Sequence, residues 1–294
     1  MTTTAAPRRL SRAGIVGIAV GAVALIGIGV GGLVLFGWMV DETHFDRPSA
    51  EFDALETEVL ALPGVETVEK ERWVEAPTFA NPTSSMRVTL DRAALPSLLD
   101  TACSSGYPDP VMWGLAVRTP SDAEVSVFAD PVTSAPSPGC PDFGLDLVAT
   151  VDALDALAPG RSIQAAIWEN GRLSFSDLFD VGSDVAGMVP LVEAADELRR
   201  TAGVDPDAEV EISGPMLTAV VAPGDASAYA ALLRTLVDDY GVTTFWDGAG
   251  GGTPIDGVAK TQVRCDPEDA AAVETAIRAS GLPLADAPIL FRED

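Results

Sequence analysis

The sequence predicts an α+β protein built from helix–strand–strand units, with mostly antiparallel sheets and helices on one face. Three observations carry this. Apolar residues at helical spacing, as in Leu95, Leu98, Leu99 and Ala102, alternate along the chain with period-two runs such as Met86, Val88 and Leu90. Turn dipeptides separate paired runs, Asn170-Gly171 above all. The helix–strand–strand rhythm recurs about five times at a period of about 40 residues; the residues themselves do not repeat, so no solenoid is expected.

The first element is the charge-free run Ala13 to Val40. A bilayer core needs about 20 apolar helical residues, and this run offers about 28. Arg8, Arg9 and Arg12 precede it without any acid, whereas Asp41, Glu42 and Asp46 follow it. The positive-inside rule then predicts a single-pass plasma-membrane protein with residues 1–12 in the cytoplasm and the rest outside. A cleaved signal peptide is the competing reading, but the run is about twice the usual length of such a core. Gly17 and Gly21, then Gly27 and Gly31, stand four apart, a spacing that lets two such helices approach and form a homodimer.

Residues 41–50 read as a short polar stalk. A first α+β domain is expected over 51–130: a helix with Phe52, Leu55 and Val59, stopped by Pro63-Gly64, then an extended run from Thr67 to Ala76. The strand Met86–Leu90, a helix from Asp91 to Cys103 and strands Met112–Val117 and Glu124–Phe128 complete it. Residues 131–143, rich in Pro, Ser and Gly, read as a linker. A second domain, 144–294, repeats the rhythm: helix Leu147–Leu157, strand Ser162–Trp168, a type I′ turn at Asn170-Gly171 and a return strand through Phe175. A helix including Pro190 to Thr201 follows, then strands Glu209–Ser213 and Leu217–Val221. A helix capped by Asp225, strands near Val242–Trp246 and Val258–Cys265, a helix opened by Asp266-Pro267 and a strand at Ile289–Phe291 end the chain.

The chain carries 44 acidic and 18 basic residues, a formal net charge of −26, and every acid lies beyond residue 40. Such a surface repels nucleic acid. Lysine occurs only at positions 70 and 260, while Ala, Asp, Gly and Arg abound, a composition that resembles actinobacterial proteins. The three cysteines form no C-x-x-C pair, which excludes a zinc ribbon or a thioredoxin motif. Cys265 sits on the less polar side of a strand and reads as a free thiol. Cys103, at a helix end, and Cys140, in a loop, are the candidate disulfide pair, consistent with an oxidising compartment.

Little in the chain suggests turnover. The single histidine, His44, falls beside the predicted span, where a triad imidazole would lack packed neighbours. Gly248 to Gly252 lacks the lysine of a phosphate loop. Asp205, Asp207, Glu209 and Glu211 alternate, which on a strand would align four carboxylates as weak candidates for Ca²⁺. Trp73, Trp113, Trp168 and Trp246 fall in or beside strands, where an exposed one could bind sugar or peptide and a buried one would serve the core.

The units resemble ferredoxin-like split βαβ modules. Leu62-Pro63-Gly64-Val65 is similar to the helix-to-strand turn of metal-transporting ferredoxin-like domains, whose C-x-x-C is missing here. The expectation is therefore a membrane-anchored extracytoplasmic module without cofactor or enzymatic activity, binding a partner or scaffolding the cell envelope. The alternative is a carboxylate- or Ca²⁺-dependent envelope hydrolase, which would show clustered buried acids in a cleft.

Overall fold

Short runs of alternating polarity, punctuated by glycine and proline, set most of the described residues into strands linked by amphipathic helices. The computed structural model describes residues 44–75, 81–130, 137–178, 184–248 and 258–292. The expected span at residues 13–40, with Gly17, Gly21, Gly27 and Gly31, lies outside the described residues, as does most of the loop around Gly248–Gly252. Among the described residues no helix is long and apolar enough to cross a membrane.

The fold is mixed α/β, with a twelve-stranded sheet and seven helices among the described residues. The strands are β1 (His44–Asp46), β2 (Val65–Glu75), β3 (Thr83–Asp91), β4 (Val111–Arg118), β5 (Glu124–Ala129) and β6 (Ser162–Ile167). They continue with β7 (Leu173–Asp177), β8 (Val210–Ser213), β9 (Leu217–Val221), β10 (Thr244–Trp246), β11 (Thr261–Arg264) and β12 (Ile289–Phe291). The helices are α1 (Ala50–Leu60), α2 (Leu95–Ser104), α3 (Leu147–Leu157), α4 (Val185–Glu193), α5 (Ala195–Thr201), α6 (Ala226–Tyr240) and α7 (Ala270–Ala279).

Packing divides the chain into two units. In its described residues the smaller contains β1 and the end of β2, paired antiparallel with His44 opposite Glu75 and Asp46 opposite Trp73. Part of the expected stalk is thus a strand. The larger unit holds Pro48–Arg72 and Thr83 onward. The Pro/Ser/Gly-rich segment expected to separate two domains lies between β5 and β6, and these strands pair in parallel, Glu124 opposite Ser162 through Val127 opposite Ala165.

Strand order follows chain order. From β3 to β12, parallel and antiparallel neighbours alternate strictly. This corrects the expectation of mostly antiparallel, ferredoxin-like sheets. Each helix between hairpins carries the chain back to the end of the sheet where the previous strand began, so the next strand enters parallel to it. A split βαβ unit would leave room for another strand between the two; here β3 and β4 are direct neighbours over eight residue pairs.

All the described helices bury residues in one apolar cluster, among them Leu55 of α1, Leu98 of α2, Leu154 of α3, Met188 of α4, Leu198 of α5, Leu233 of α6 and Ile277 of α7. They therefore cover one face of the sheet. Each hairpin reverses the next parallel pair while the sheet grows in one direction. Successive crossovers kept on one face must then differ in hand, against the usual right-handed rule.

Local signals explain most boundaries. Ser49 caps α1 by accepting from the Phe52 amide, Asp146 caps α3 through Ala149, and Asp184 caps α4 through Gly187. Gly241, at φ 59°, ends α6 in the left-handed conformation. Pro190 sits inside α4 and removes a backbone donor, and a break at Ala194 separates α4 from α5. Residues Asp266–Asp269 form a turn, so α7 starts later than its Asp-Pro signal suggested.

The hairpin at Asn170-Gly171 also departs from expectation. Gly171 has φ +81° but Asn170 does not have positive φ, so the turn is not type I′. The Gly171 amide donates to the Trp168 carbonyl and the Trp168 amide to the Arg172 carbonyl, enclosing three residues. Asn170 Oδ1 accepts from the Arg172 amide at 3.1 Å, which favours this wider loop with glycine at its left-handed position.

Candidate functional site

Residues paired across neighbouring strands project to the same side of a sheet, so register sorts the side chains into two faces. One row runs Val88, Leu115, Val127, Ala165, Phe175, Ile212 and Ala219, every member buried in the helix-covered core. The adjacent row points the other way. It runs Thr89, Ala116, Ser126, Gln164, Ser176, Ser213, Thr218, Trp246, Gln262 and Leu290, one residue from each strand from β3 to β12. No described helix buries a residue against this row. From β5 to β9 it is a floor of small polar groups, with Ser176 Oγ 2.8 Å from Ser213 Oγ; toward β12 it passes through Trp246 and Leu290, and Arg292 Nε donates to Gln262 Oε1 at 2.8 Å.

The four acids singled out in sequence do not line up as one carboxylate row. Asp205 and Asp207 lie in the turn before β8, where Asp205 Oδ1 accepts from the Asp207 amide, so strand alternation does not reach them. Glu209 and Glu211 both receive the Arg172 guanidinium, at 2.6 and 3.1 Å. Burial works against the charge on Arg172, but the Glu209 and Glu211 carboxylates outweigh it and raise its pKa above the ordinary arginine value. Among the described residues no group of three His, Cys, Asp or Glu side chains is arranged to hold a metal ion. The buried acids each have their own partner: Asp177 takes Arg161, Glu211 takes Arg172, and Asp247 accepts from the Tyr229 hydroxyl.

Cys103 and Cys140 are joined in a disulfide and Cys265 is free. Burial, then the charges of Asp269 and Asp266, push the Cys265 thiol pKa up, away from thiolate chemistry. The tryptophans divide. Trp113 is buried and donates to the Gly139 carbonyl beside the disulfide, whereas Trp168 is 52% exposed.

One end of the helix-free face carries a groove of about 180 Å³ that sequence reasoning missed. Its floor is β4, where Gly114 and Ala116 offer almost no side chain; Arg87 and Thr89 of β3 and Ser126 and Phe128 of β5 rise beside them, and Thr67 and Glu69 of β2 close one side. Arg87, Gly114 and Phe128 form a single cross-strand row. A Cβ on Gly114 would come within 3.0 Å of the Phe128 ring and 3.3 Å of Arg87 Cγ, so glycine is what lets both side chains lie over the strand. Phe128 is 60% exposed, out of phase with the buried Val125 and Val127. An aromatic at the polar phase of a strand, together with a glycine inside the neighbouring one, is the local signal that could have marked the site.

No protein-family model, no curated protein and no solved structure matches this chain.

Proposed function

We propose that this chain is a non-enzymatic binding module, held at the outer surface of the plasma membrane by a single span at residues 13–40, that docks a cell-envelope partner on the helix-free face of its sheet. The arginines at 8, 9 and 12 support the orientation, and the glycines at 17, 21, 27 and 31 support pairing of two anchors. The observation that carries the binding role is the second face of the sheet. A soluble sheet commonly leaves one face to water, but that face is then usually rich in long charged side chains. Here, from β4 to β9, the row is Ala, Ser, Gln and Thr, and Phe128 of β5 and Trp168 just after β6 are exposed. Small side chains keep such a surface flat, and exposed aromatics supply contact area at low entropic cost.

The test is a photo-reactive amino acid at Gln164, on the helix-free face, compared with one at Glu58, an exposed position on α1. Irradiation of intact cells should give a discrete adduct from position 164 and none from position 58. Equal adducts from both, or none from either, would count against the docking face. Protease added to intact protoplasts should digest the chain beyond residue 40; survival until lysis would reverse the orientation.

A further inference from the structure

Two opposite charges share the groove over Gly114 without meeting each other. Arg87 and Glu69 both line it, on the adjoining strands β3 and β2, and neither side chain has a hydrogen bond or ion pair among the described residues. This is unusual within the molecule. Most of the cations among the described residues are matched to an acid, among them Lys70 to Asp53 and Glu56, Arg72 to Asp109, Arg92 to Asp152, Arg161 to Asp177 and Arg172 to Glu209 and Glu211. A protein of net charge −26 has acid to spare for every cation. An arginine left open beside an equally open glutamate, over a floor cleared by glycine, is arranged for an outside group.

We propose that the groove binds a zwitterion of amino-acid size with an apolar side chain. The Arg87 guanidinium takes its carboxylate, Glu69 takes its ammonium, and the Phe128 ring covers its apolar body. The hydroxyls of Thr67, Thr89 and Ser126, which also line the groove, supply neutral donors and acceptors around the charged ends. Charge sign selects this class over others. A phosphate would bring a second negative charge toward Glu69 on an already acidic molecule. A neutral sugar would leave both Arg87 and Glu69 without the charged partner each lacks. A volume of about 180 Å³ suits one small solute rather than a length of polymer.

The proposal rests on the reading of this face as a binding surface, and its test is independent of any macromolecular partner. The full chain in detergent micelles is titrated calorimetrically with L-phenylalanine, with N-acetyl-L-phenylalanine, which lacks the ammonium, and with L-phenylalanine amide, which lacks the carboxylate. The free amino acid should bind about tenfold or more tightly than either capped form, the scale of one lost charge-assisted hydrogen bond. Arg87→Gln should abolish the discrimination against the amide alone, and Glu69→Gln the discrimination against the acetylated form alone. Both positions are on the open face, and far-UV circular dichroism of the variants checks that folding is intact. Equal binding of all three probes, saturable binding of none, or loss of both discriminations in either variant overturns the proposal. If the probes fail while position 164 still gives its adduct, the docking face stands and only the zwitterion site falls.

Discussion

Phe175 and Phe128 belong to the same sheet and differ in almost everything that decides a side chain's role. Phe175 is fully buried among helices, in the row that contains Ala165 and Ile212. Phe128 is 60% exposed, in the row of Arg87 and Gly114. The contrast extends to the whole of both faces. One is apolar from β3 to β12 and accepts every described helix; the other carries mainly small and polar side chains from β4 to β9 and accepts none of the described helices. This difference explains the odd handedness of the crossovers. A uniformly right-handed chain with this strand order would send alternate helices to the second face, where Ser126, Gln164, Ser176, Ser213 and Thr218 offer no apolar ground. Burial of apolar surface is worth more than the handedness preference, and it keeps the helices together.

The sharpest way to break the comparison is to truncate one aromatic on each face. Phe175→Ala should destabilise by about 3–5 kcal/mol, through lost transfer energy and a cavity that the packed helices cannot fill. Phe128→Ala should change stability by no more than about 0.5 kcal/mol. Urea unfolding of the two variants gives both numbers, and equal losses would mean that the second face is covered.

A smaller effect separates buried polar groups from exposed ones. The Tyr229 hydroxyl donates to Asp247 at 2.7 Å beneath α6, and the ring meets Phe245 edge-on at 6.3 Å. Burial, then the charge of Asp247, raises the pKa of Tyr229 well above the ordinary tyrosine value. Because the folded pKa is raised, the stability it contributes is fully present below the unfolded value of about 10 and is lost as pH rises through the folded one. Tyr229→Phe should flatten that alkaline decline and cost about 1–3 kcal/mol at neutral pH, since Asp247 loses a donor. Stability curves measured between neutral and strongly alkaline pH show both changes, and an unaltered alkaline slope would contradict the assignment.

The smallest effects belong to backbone, which should be blind to the two faces. The hairpin between β4 and β5 closes like the one between β6 and β7, with the Thr119 amide on the Ala123 carbonyl and the Asp122 amide on the Thr119 carbonyl. It places Asp122 at φ 60°, where the other hairpin has Gly171. Asp122→Gly should therefore stabilise by up to about 1 kcal/mol, and Gly171→Val should destabilise by about 1–2 kcal/mol. Melting temperatures that move in the same direction would refute the shared turn geometry.

The sequence made one face legible and hid the other. Helical spacing marked α1, α2, α3 and α6, and alternation marked β3, β4 and β5, because both report burial on the helix-covered side. Cys103 and Cys140 could be picked out by their places at a helix end and in a loop. Parallel pairing was hidden because hairpin signals are local dipeptides, whereas a crossover brings together strands separated by a helix. The acid run Asp205–Glu211 misled because alternation was extended past the start of β8 into a turn. The groove was hidden for a related reason. Arg87, Gly114 and Phe128 come from three strands and form no motif, so only register brings them together. What could be read was a pair of anomalies, a glycine inside β4 and a phenylalanine in the polar phase of β5.

The central claim is that the helix-free face is occupied at the cell surface. Cysteines introduced by Gln164→Cys and Thr218→Cys on that face, and by Glu58→Cys on α1, are labelled with a membrane-impermeant maleimide in a Cys265→Ser background. In purified protein all three should react. In intact cells the Glu58→Cys variant should react at the same rate as before, and the Gln164→Cys and Thr218→Cys variants should be markedly slower. Unchanged rates at positions 164 and 218 would show a bare face and contradict the account, and a Glu58→Cys variant that reacts only after lysis would place the sheet on the wrong side of the membrane.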